Sequence, residues 1–381
     1  MRRMILIGLQ TLLLGHALAL QIDSQVTLRE AAKSWVSIAG HPLYYTSSNS
    51  LYMIDNQSIR KMLAYSSQAN ISLSPNGEYR LISLLHNLDE IKDGQRYSDY
   101  YILDDQNELL YSVNRGTASD LKPLVAAISN SGLLALADPV KAMIYIYEAG
   151  NLVAEGQLYE DDGPMSKERS ILMQWVDAQC YVLLERPGLN GSPAGKSLFI
   201  RISADGREQM TSYLPFSRLL DKVFQNQRFF ISGYDYNAAE EQMLPMIVEV
   251  SPQGKVLWNN ENFGHELTLS ANGAYLAILS SHEFIQLFNL DSKRVSEIHF
   301  NNENKVCLGL SVNNQGEVAV IRVAADFFAK RNTHFSQIFF PQTARNVDIQ
   351  IDPRFPALFQ VQTDGDRFYI GTNYEWLEIT Q

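Results

Sequence analysis

One short pattern, a pair of alternating apolar segments joined by a turn, recurs along nearly the whole chain. Its clearest copy is Leu267 to Leu279 (LTLSANGAYLAIL), where apolar residues alternate on both sides of Asn272-Gly273. Alternation at period two is typical of a β-strand with one buried face. An Asn-Gly pair supplies the positive φ angles that a tight hairpin turn needs, so this stretch predicts a β-hairpin.

The spacing of these hairpins predicts the architecture. Further copies carry Asn-Gly or another turn pair, and weaker ones lack the glycine: Trp35 to Thr46, Ile71 to Leu84, Ala127 to Asp138, Gln174 to Leu184, Lys222 to Ser232, Leu310 to Val323 and Gln360 to Ile370. Successive turns lie between 37 residues apart (Gly40 to Gly77) and 55 residues apart (Gly77 to Gly132). Strand repeats of roughly 40 to 50 residues are typical of propeller blades.

The sequence therefore predicts an all-β fold, a β-propeller with four strands in each blade. Eight blades are expected, or seven if the weak opening strand Gln25 to Leu28 does not form. With that strand as the first of its blade, Leu109 to Val113 and Val256 to Trp258 become innermost strands, and both are apolar or neutral. No Ser/Pro-rich or charged linker divides the chain, so 20–381 is expected to form a single domain.

The first 19 residues read as a cleavable signal peptide. Arg2 and Arg3 form a basic start, Ile5 to Leu14 is apolar, and Ala17-Leu18-Ala19 is a small-residue cleavage pattern. The apolar stretch is short for a membrane anchor, and no second apolar span follows. We therefore expect an exported protein, periplasmic or extracellular, monomeric and without a membrane span once the signal is removed.

Charge and cysteine content narrow the classes of partner. Loss of Arg2 and Arg3 with the signal changes the formal charge from −11 to −13, which disfavours nucleic-acid binding. Cys180 and Cys307 fall in different blades on interior strands, so we expect two buried free thiols rather than a disulfide. A large apolar core must then hold the fold.

The longest connections all belong to one end of the predicted blades. In an antiparallel meander the connections alternate between the two ends, and the long ones (86–98, 159–168, 186–196, 233–245 and 324–334) share an end that we call the long-loop face. The opposite end, the tight-turn face, has short turns such as Pro75-Asn76-Gly77. Long loops on a rigid scaffold are where binding residues concentrate, although unselected variation in loop length would give the same pattern.

The composition of these loops suggests a protein partner. Tyr, Phe and Arg are enriched in protein interfaces, and an exposed apolar pair at 327–328 in a polar loop fits the same use, although the pair could instead fold back onto its blade. The predicted partner-binding residues are Asp89, Arg96, Tyr97, Arg186, Tyr234, Tyr236, Phe327, Phe328 and Arg331.

Sequence signatures of catalysis are missing. There is no G-x-S-x-G, H-E-x-x-H or C-x-x-C motif, and the six histidines that follow the signal are scattered over at least five repeats. The sequence therefore favours a protein without catalytic activity, bound cofactor or metal.

The hairpins resemble those of a broad class of known propellers. Ser74-Pro75-Asn76-Gly77-Glu78-Tyr79 and the S-x-x-G-x-x-A stretch at 129–135 are similar to the repeats of WD-repeat-like and YVTN-like propellers exported by bacteria, and the likeness covers Gln25 to Gln381. The Trp-Asp dipeptide of true WD repeats is absent. The resemblance implies a protein-interaction scaffold, and the alternative is an enzyme or small-ligand-binding propeller with its site in the central channel.

Overall fold

Thirty-two strands follow one another along the described chain and form eight four-stranded antiparallel sheets. The computed structural model describes residues 21–36, 43–55, 58–65, 68–86, 96–117, 124–159, 170–185, 195–225, 228–237, 239–260, 266–281, 283–301, 305–324, 334–351, 361–364, 367–371 and 374–380. First strands of neighbouring sheets contact each other, so they line the axis of a ring of blades. The predicted all-β, eight-bladed propeller is confirmed.

The first four blades, each given from its innermost to its outermost strand, have the following bounds. Blade 1 is β2 (Ser34–Val36), β3 (Leu43–Thr46), β4 (Ser50–Asp55) and β5 (Ser58–Ala64). Blade 2 is β6 (Gln68–Leu73), β7 (Arg80–Leu85), β8 (Arg96–Leu103) and β9 (Leu109–Thr117). Blade 3 is β10 (Val125–Ile128), β11 (Leu134–Asp138), β12 (Met143–Glu148) and β13 (Asn151–Gln157). Blade 4 is β14 (Ile171–Val176), β15 (Gln179–Leu184), β16 (Leu198–Ser203) and β17 (Gln209–Tyr213).

The remaining four blades complete the ring, and the last one combines the two ends of the chain. Blade 5 is β18 (Arg218–Gln225), β19 (Arg228–Asn237), β20 (Gln242–Val250) and β21 (Val256–Asn260). Blade 6 is β22 (Glu266–Leu269), β23 (Tyr275–Ser281), β24 (Phe284–Asn289) and β25 (Arg294–His299). Blade 7 is β26 (Lys305–Val312), β27 (Val318–Ala324), β28 (His334–Phe340) and β29 (Arg345–Ile351). Blade 8 is β30 (Val361–Asp364), β31 (Arg367–Gly371), β32 (Glu375–Thr380) and β1 (Gln21–Thr27).

The predicted grouping of strands into blades is wrong by one strand. β1 does not open the first blade; it pairs with β32 as the outermost strand of blade 8, with Val26 opposite Trp376. Each later boundary moves accordingly, so Leu109 to Val113 and Val256 to Trp258 lie on outermost strands, not innermost ones. A repeat fixes the spacing of blades but not the point at which a blade begins, and closure by the N-terminal strand sets that point.

Apolar layers between neighbouring blades form the core. Among the described residues, eight buried clusters each join side chains of two adjacent blades, so the whole ring is packed face to face. The layer between blades 8 and 1, where the ring closes, packs Val26 and Trp376 of blade 8 against Trp35 of blade 1. The ring centroids of Trp35 and Trp376 are 5.4 Å apart. Burial of apolar area of this extent, not disulfides, stabilises the ring. Cys180 and Cys307 are buried free thiols, as predicted.

The recurrent turn differs in detail from the predicted one. At Ser270-Ala271-Asn272-Gly273 the glycine has a φ of 73°, whereas Asn272 is not among the residues with positive φ. The Gly273 amide donates to the Ser270 carbonyl at 2.8 Å, so a turn ending in a left-handed glycine replaces the predicted Asn-Gly turn. The side-chain oxygen Oδ1 of Asn272 instead accepts a hydrogen bond from the Ser270 hydroxyl at 2.7 Å. The backbone amide of Asn272 donates to Asn314 Oδ1 of the next blade at 2.8 Å.

None of the described residues forms a helix long and apolar enough to cross a bilayer. The signal-peptide prediction for 1–19 falls outside the described residues.

Candidate functional site

The two ends of the ring differ in their connections. In each blade the first-to-second and third-to-fourth turns lie at one end, and the other connections lie at the opposite end because strand direction alternates. The one-strand correction leaves this division unchanged, so four of the five predicted long connections stay on the long-loop face. The fifth prediction, a long loop over 233–245, is wrong: β19 runs to Asn237 and β20 begins at Gln242, so this stretch is a β-hairpin with a short turn. Of the predicted residues on the long-loop face, Asp89, Arg186, Phe327, Phe328 and Arg331 lie outside the described residues.

Arg96 and Tyr97 lie at the start of β8, at the long-loop face of blade 2. Arg96 Nε donates to the His86 carbonyl at 2.6 Å, which closes the connection that precedes the strand. His86 Nε2 contacts Asp99 Oδ2 at 2.8 Å, and Asn114 Nδ2 donates to the other carboxylate oxygen of Asp99 at 2.6 Å. Arg96 is therefore held by the fold of its own blade, and its side chain stays half-buried.

Tyr234 and Tyr236 lie together on the longest hairpin of the described chain, formed by β19 and β20. Tyr234 pairs with Pro245 and Tyr236 with Met243, and residues two apart on a strand share a face. One side of the hairpin thus presents two tyrosines, a methionine and a proline, all half-buried, toward blade 6. Leu244, on the other side of the same hairpin, is 40% exposed.

The opposite side of this hairpin is fastened to blade 4. Asp235 forms an ion pair with Lys196. Lys196 Nζ also donates to the Pro215 carbonyl at 3.3 Å, and the Ser217 hydroxyl donates to Asp235 Oδ1 at 3.4 Å. These contacts hold the hairpin in place, so the tyrosine side has a defined position.

The structure does not bring all the described candidate residues into one site. Arg96 and Tyr97 belong to blade 2, whereas Tyr234 and Tyr236 belong to blade 5, and two blades stand between them. They share the long-loop face of the ring, and a partner that contacted both groups would have to cover much of that face.

The central channel differs most from the sequence prediction. The argument against a channel site depended on Leu109 to Val113 and Val256 to Trp258, which are outermost strands. The true innermost strands β18 and β22 carry Asp221, Lys222 and Glu266, which are all half-buried. We call these three residues, with Gln174 of β14, the channel cluster.

Asp221 and Lys222 connect three blades because neighbouring residues of a strand point to opposite sides. Asp221 Oδ2 accepts from the Leu267 amide of blade 6 at 3.1 Å, and Lys222 Nζ donates to Gln174 Oε1 of blade 4 at 3.4 Å. Burial lowers the pKa of Lys222, an effect that the Asp221 carboxylate partly offsets. Burial also raises the pKa of Asp221, against amide hydrogen bonds from Leu267 and Lys222 that lower it.

Glu266 stands beside this pair without a basic partner among the described residues. Burial raises its pKa to about 7, and the negative charge of Asp221 adds to the shift. A carboxyl group that titrates near neutral pH can hold or release a proton under ordinary conditions. Nowhere in the described ranges do three or more His, Cys, Asp or Glu side chains gather in a way that could hold a metal ion.

Sequence reasoning missed this cluster because of the blade boundaries. The acidic and basic residues in Arg218–Gln225 (RLLDKVFQ) are unusual for a strand that contacts two neighbours, and Glu266 opens the strand before Ser270-Ala271-Asn272-Gly273. Once the first segment of each hairpin repeat is assigned as the innermost strand, as closure by β1 requires, these charges can be located in the channel.

Comparison with known proteins supports the fold but assigns neither a family nor a function. No protein-family model matches the sequence, and no curated protein matches it. The crystal structure of the C-terminal WD40 domain of Sif2 is similar at a TM-score of 0.54 and 10% identity, covering 95% of this chain and 98% of that one. The crystal structure of Saccharomyces cerevisiae Sqt1 is similar at 0.54 and 9% identity, covering 93% and 98%. At such identities the likeness concerns the fold alone: the chain is an eight-bladed β-propeller whose fold is similar to that of WD40 domains.

Proposed function

We propose that this chain is an exported protein-interaction scaffold that binds a partner protein with its long-loop face. The observation that supports this most is the difference between the ends of the ring: tight turns occupy one face, and the four predicted connections that remain long occupy the other. The Tyr234, Tyr236, Met243 and Pro245 side of the blade 5 hairpin adds residue types that are enriched at interfaces. WD40 propellers commonly serve as protein-interaction scaffolds, which agrees with the proposal by analogy.

Capture of the partner tests the role of this face. The tagged chain is incubated with envelope or secreted extract, and bound proteins are quantified beside a Tyr234→Ser/Tyr236→Ser variant and a Phe327→Ser/Phe328→Ser variant. Leu152→Ser/Val153→Ser serves as control, because those two residues are exposed near the tight-turn face. A partner lost from either long-loop variant and kept by the control supports the proposal; a partner retained by both long-loop variants, or lost with the control, contradicts it.

Export is supported by the pattern of the first 19 residues. We expect the protein purified from its native host to begin at residue 20 and to be found outside the cytoplasm. Mass spectrometry of the intact chain with fractionation measures both. A retained N-terminus in the cytoplasmic fraction would contradict export and leave the binding proposal to be tested separately.

The channel cluster favours a second candidate function, a small-ligand site in the central channel. Two carboxyl groups and one amine on two neighbouring blades can bind a small polar molecule by charge and hydrogen bonding. Thermal denaturation with a panel of amines, polyamines and amino acids tests this possibility. A midpoint rise that is absent in Asp221→Asn/Glu266→Gln supports it, and no response to the panel counts against it.

A further inference from the structure

A pocket of about 330 Å³ lies between blades 5 and 6, at the tight-turn end of the ring. It is distinct from the long-loop face and from the channel cluster. Its lining is Arg228, Phe230, Glu249, Leu257, Trp258, Phe288, Asn289, Leu290, Lys293 and Val295. Its volume falls at the lower end of the range that is typical of ligand pockets, roughly 300 to 1,000 Å³.

A β-bulge in the outermost strand of blade 5 forms one edge of this pocket. Trp258 pairs with Glu249 and Val256 with Val250, so Leu257 is an extra residue with no partner in the ladder. Bulges turn side chains out of the regular alternation, and Leu257 is 57% exposed.

Aromatic rings form the deeper part of the pocket. The ring of Trp258 meets that of Phe288 edge-on, with centroids 5.3 Å apart, and Phe230 behind them is fully buried. Leu257 and Val295 extend this apolar surface to the solvent-exposed rim. Such a pocket accepts a bulky aliphatic or aromatic side chain.

The rim carries an excess of positive charge. Arg228 Nε pairs with Glu249 Oε1 at 3.0 Å, so the carboxylate in the pocket is already neutralised. Lys293 lies in the turn between β24 and β25, is exposed, and pairs with no carboxylate of the described chain. In a chain of formal charge −11, this local reversal favours an acidic group beside the apolar anchor.

The pocket also borders a free sheet edge. β21 is the outermost strand of blade 5, so the backbone groups on its outer edge have no partner strand within that sheet. An exposed edge of this kind is a template for an extended peptide, with main-chain hydrogen bonds along the strand and one side chain in an adjacent pocket.

We propose that this pocket binds an extended segment of a partner protein in which a bulky apolar residue lies next to an acidic one. The aromatic walls receive the apolar side chain, Lys293 receives the carboxylate, and the β21 edge receives the peptide backbone. This inference does not depend on the long-loop face, which lies at the other end of the ring.

A random 12-residue peptide display library panned on the purified chain is the direct test. We expect enriched sequences to join Leu, Ile, Val or Phe to Asp or Glu, and their synthetic peptides to bind at least about tenfold more weakly to Leu257→Asp. Val153→Asp is the matched control. Val153 is the extra residue of a similar bulge in blade 3 and is 45% exposed, and Ala154 stands where blade 5 has Trp258.

Lys293→Asn tests the charge separately, because Asn tolerates the left-handed backbone at this position, where φ is 56°. We expect about threefold to tenfold weaker binding and a smaller effect of salt on affinity.

Enrichment of basic or purely apolar peptides, equal binding to Leu257→Asp, or equal loss in Val153→Asp would overturn the proposal. So would self-association of the native chain that Leu257→Asp abolishes, because a second copy would then occupy the pocket. Tyr234→Ser/Tyr236→Ser is expected to leave peptide binding unchanged, so the two proposals fail independently.

Discussion

At the residue scale, Glu266 is the group whose environment makes the clearest prediction. The folded chain keeps its proton up to about pH 7, whereas the unfolded chain releases it near the ordinary value of 4.5. The folded state therefore binds more protons in this window, and raising the pH from 4.5 to 7 lowers the free energy of unfolding. Because the side chain is half-buried and partly screened by solvent, we expect a loss of about 1–2 kcal/mol.

Urea denaturation at pH 5 and pH 8 measures this effect. The Glu266→Gln variant should lose this part of the pH dependence and be more stable than the native chain at pH 8. Glu283→Gln, at an exposed position of the same blade, is the control and should keep the native slope. If the slope is unchanged in Glu266→Gln, the carboxyl group is not in the environment described.

Alanine substitution at three glycines distinguishes the free-energy cost of backbone strain from that of a steric clash. Gly316 has a φ of 82°, and a Cβ built there would lie 2.7 Å from Tyr275 Cε1 of the preceding blade. Gly150 has a φ of 84°, but its nearest atoms are 3.8 Å away, and Gly156 has open space around it. We expect Gly316→Ala to cost about 2–3 kcal/mol, Gly150→Ala about 1 kcal/mol, and Gly156→Ala less than about 0.5 kcal/mol.

Chemical denaturation of the three variants measures this order. Equal losses in Gly316→Ala and Gly150→Ala would mean that the ring of Tyr275 moves away freely. The sequence predicted the turn at Gly316, within the hairpin Leu310 to Val323, because Gly and Asn are recognisable turn residues. The contact between Gly316 and Tyr275 was not predictable, because it joins a turn of one blade to a strand of another.

At the element scale, the sequence predicted the hairpins and their spacing but not the grouping of strands. Alternation in LTLSANGAYLAIL marks two strands, and both form, as Glu266–Leu269 and Tyr275–Ser281. β1 looks like any other edge strand, and its partner β32 is the last strand of the chain, so no local pattern relates them. The error carried over to the channel, where the charged residues of β18 were not assigned to the axis.

Pairing of β1 with β32 predicts that a disulfide can close the ring. Thr27 lies opposite Glu375, and directly paired Cα atoms in antiparallel strands are about 4.5–5.5 Å apart, within reach of a disulfide. Thr27→Cys/Glu375→Cys should oxidise readily and stabilise the chain by several kcal/mol, about 5 at most, because it closes a very long loop. Burial raises the pKa of the native Cys180 thiol, which keeps that thiol out of the exchange.

Thermal denaturation with and without reductant measures the effect of this bond. Thr27→Cys/Glu378→Cys is the control. Glu378 pairs with Ser24 and not with Thr27, so the two cysteines would be out of register and no disulfide should form. Ready oxidation of the out-of-register pair, or failure of the in-register pair, would contradict the closure by β1.

At the scale of the whole molecule, the difference between the two ends of the ring was predictable although the blade boundaries were not. Alternating strand direction sends successive connections to opposite ends, so the long connections share a face whichever strand begins a blade. What that face binds could not be read from the sequence, because Tyr234 and Tyr236 gain their common side only through the pairing of β19 with β20. The blade 5–6 pocket was equally hidden, because it needs a bulge on one blade and a turn on the next.

The most direct test of the scaffold account is site-specific photo-cross-linking in the native compartment. A photoreactive phenylalanine analogue replaces Tyr236 on the long-loop face in one chain and Leu152, 44% exposed near the tight-turn face, in another. The account predicts a discrete cross-linked partner protein from position 236 and none of that mass from position 152. The same partner cross-linked from position 152 and not from position 236 would contradict it.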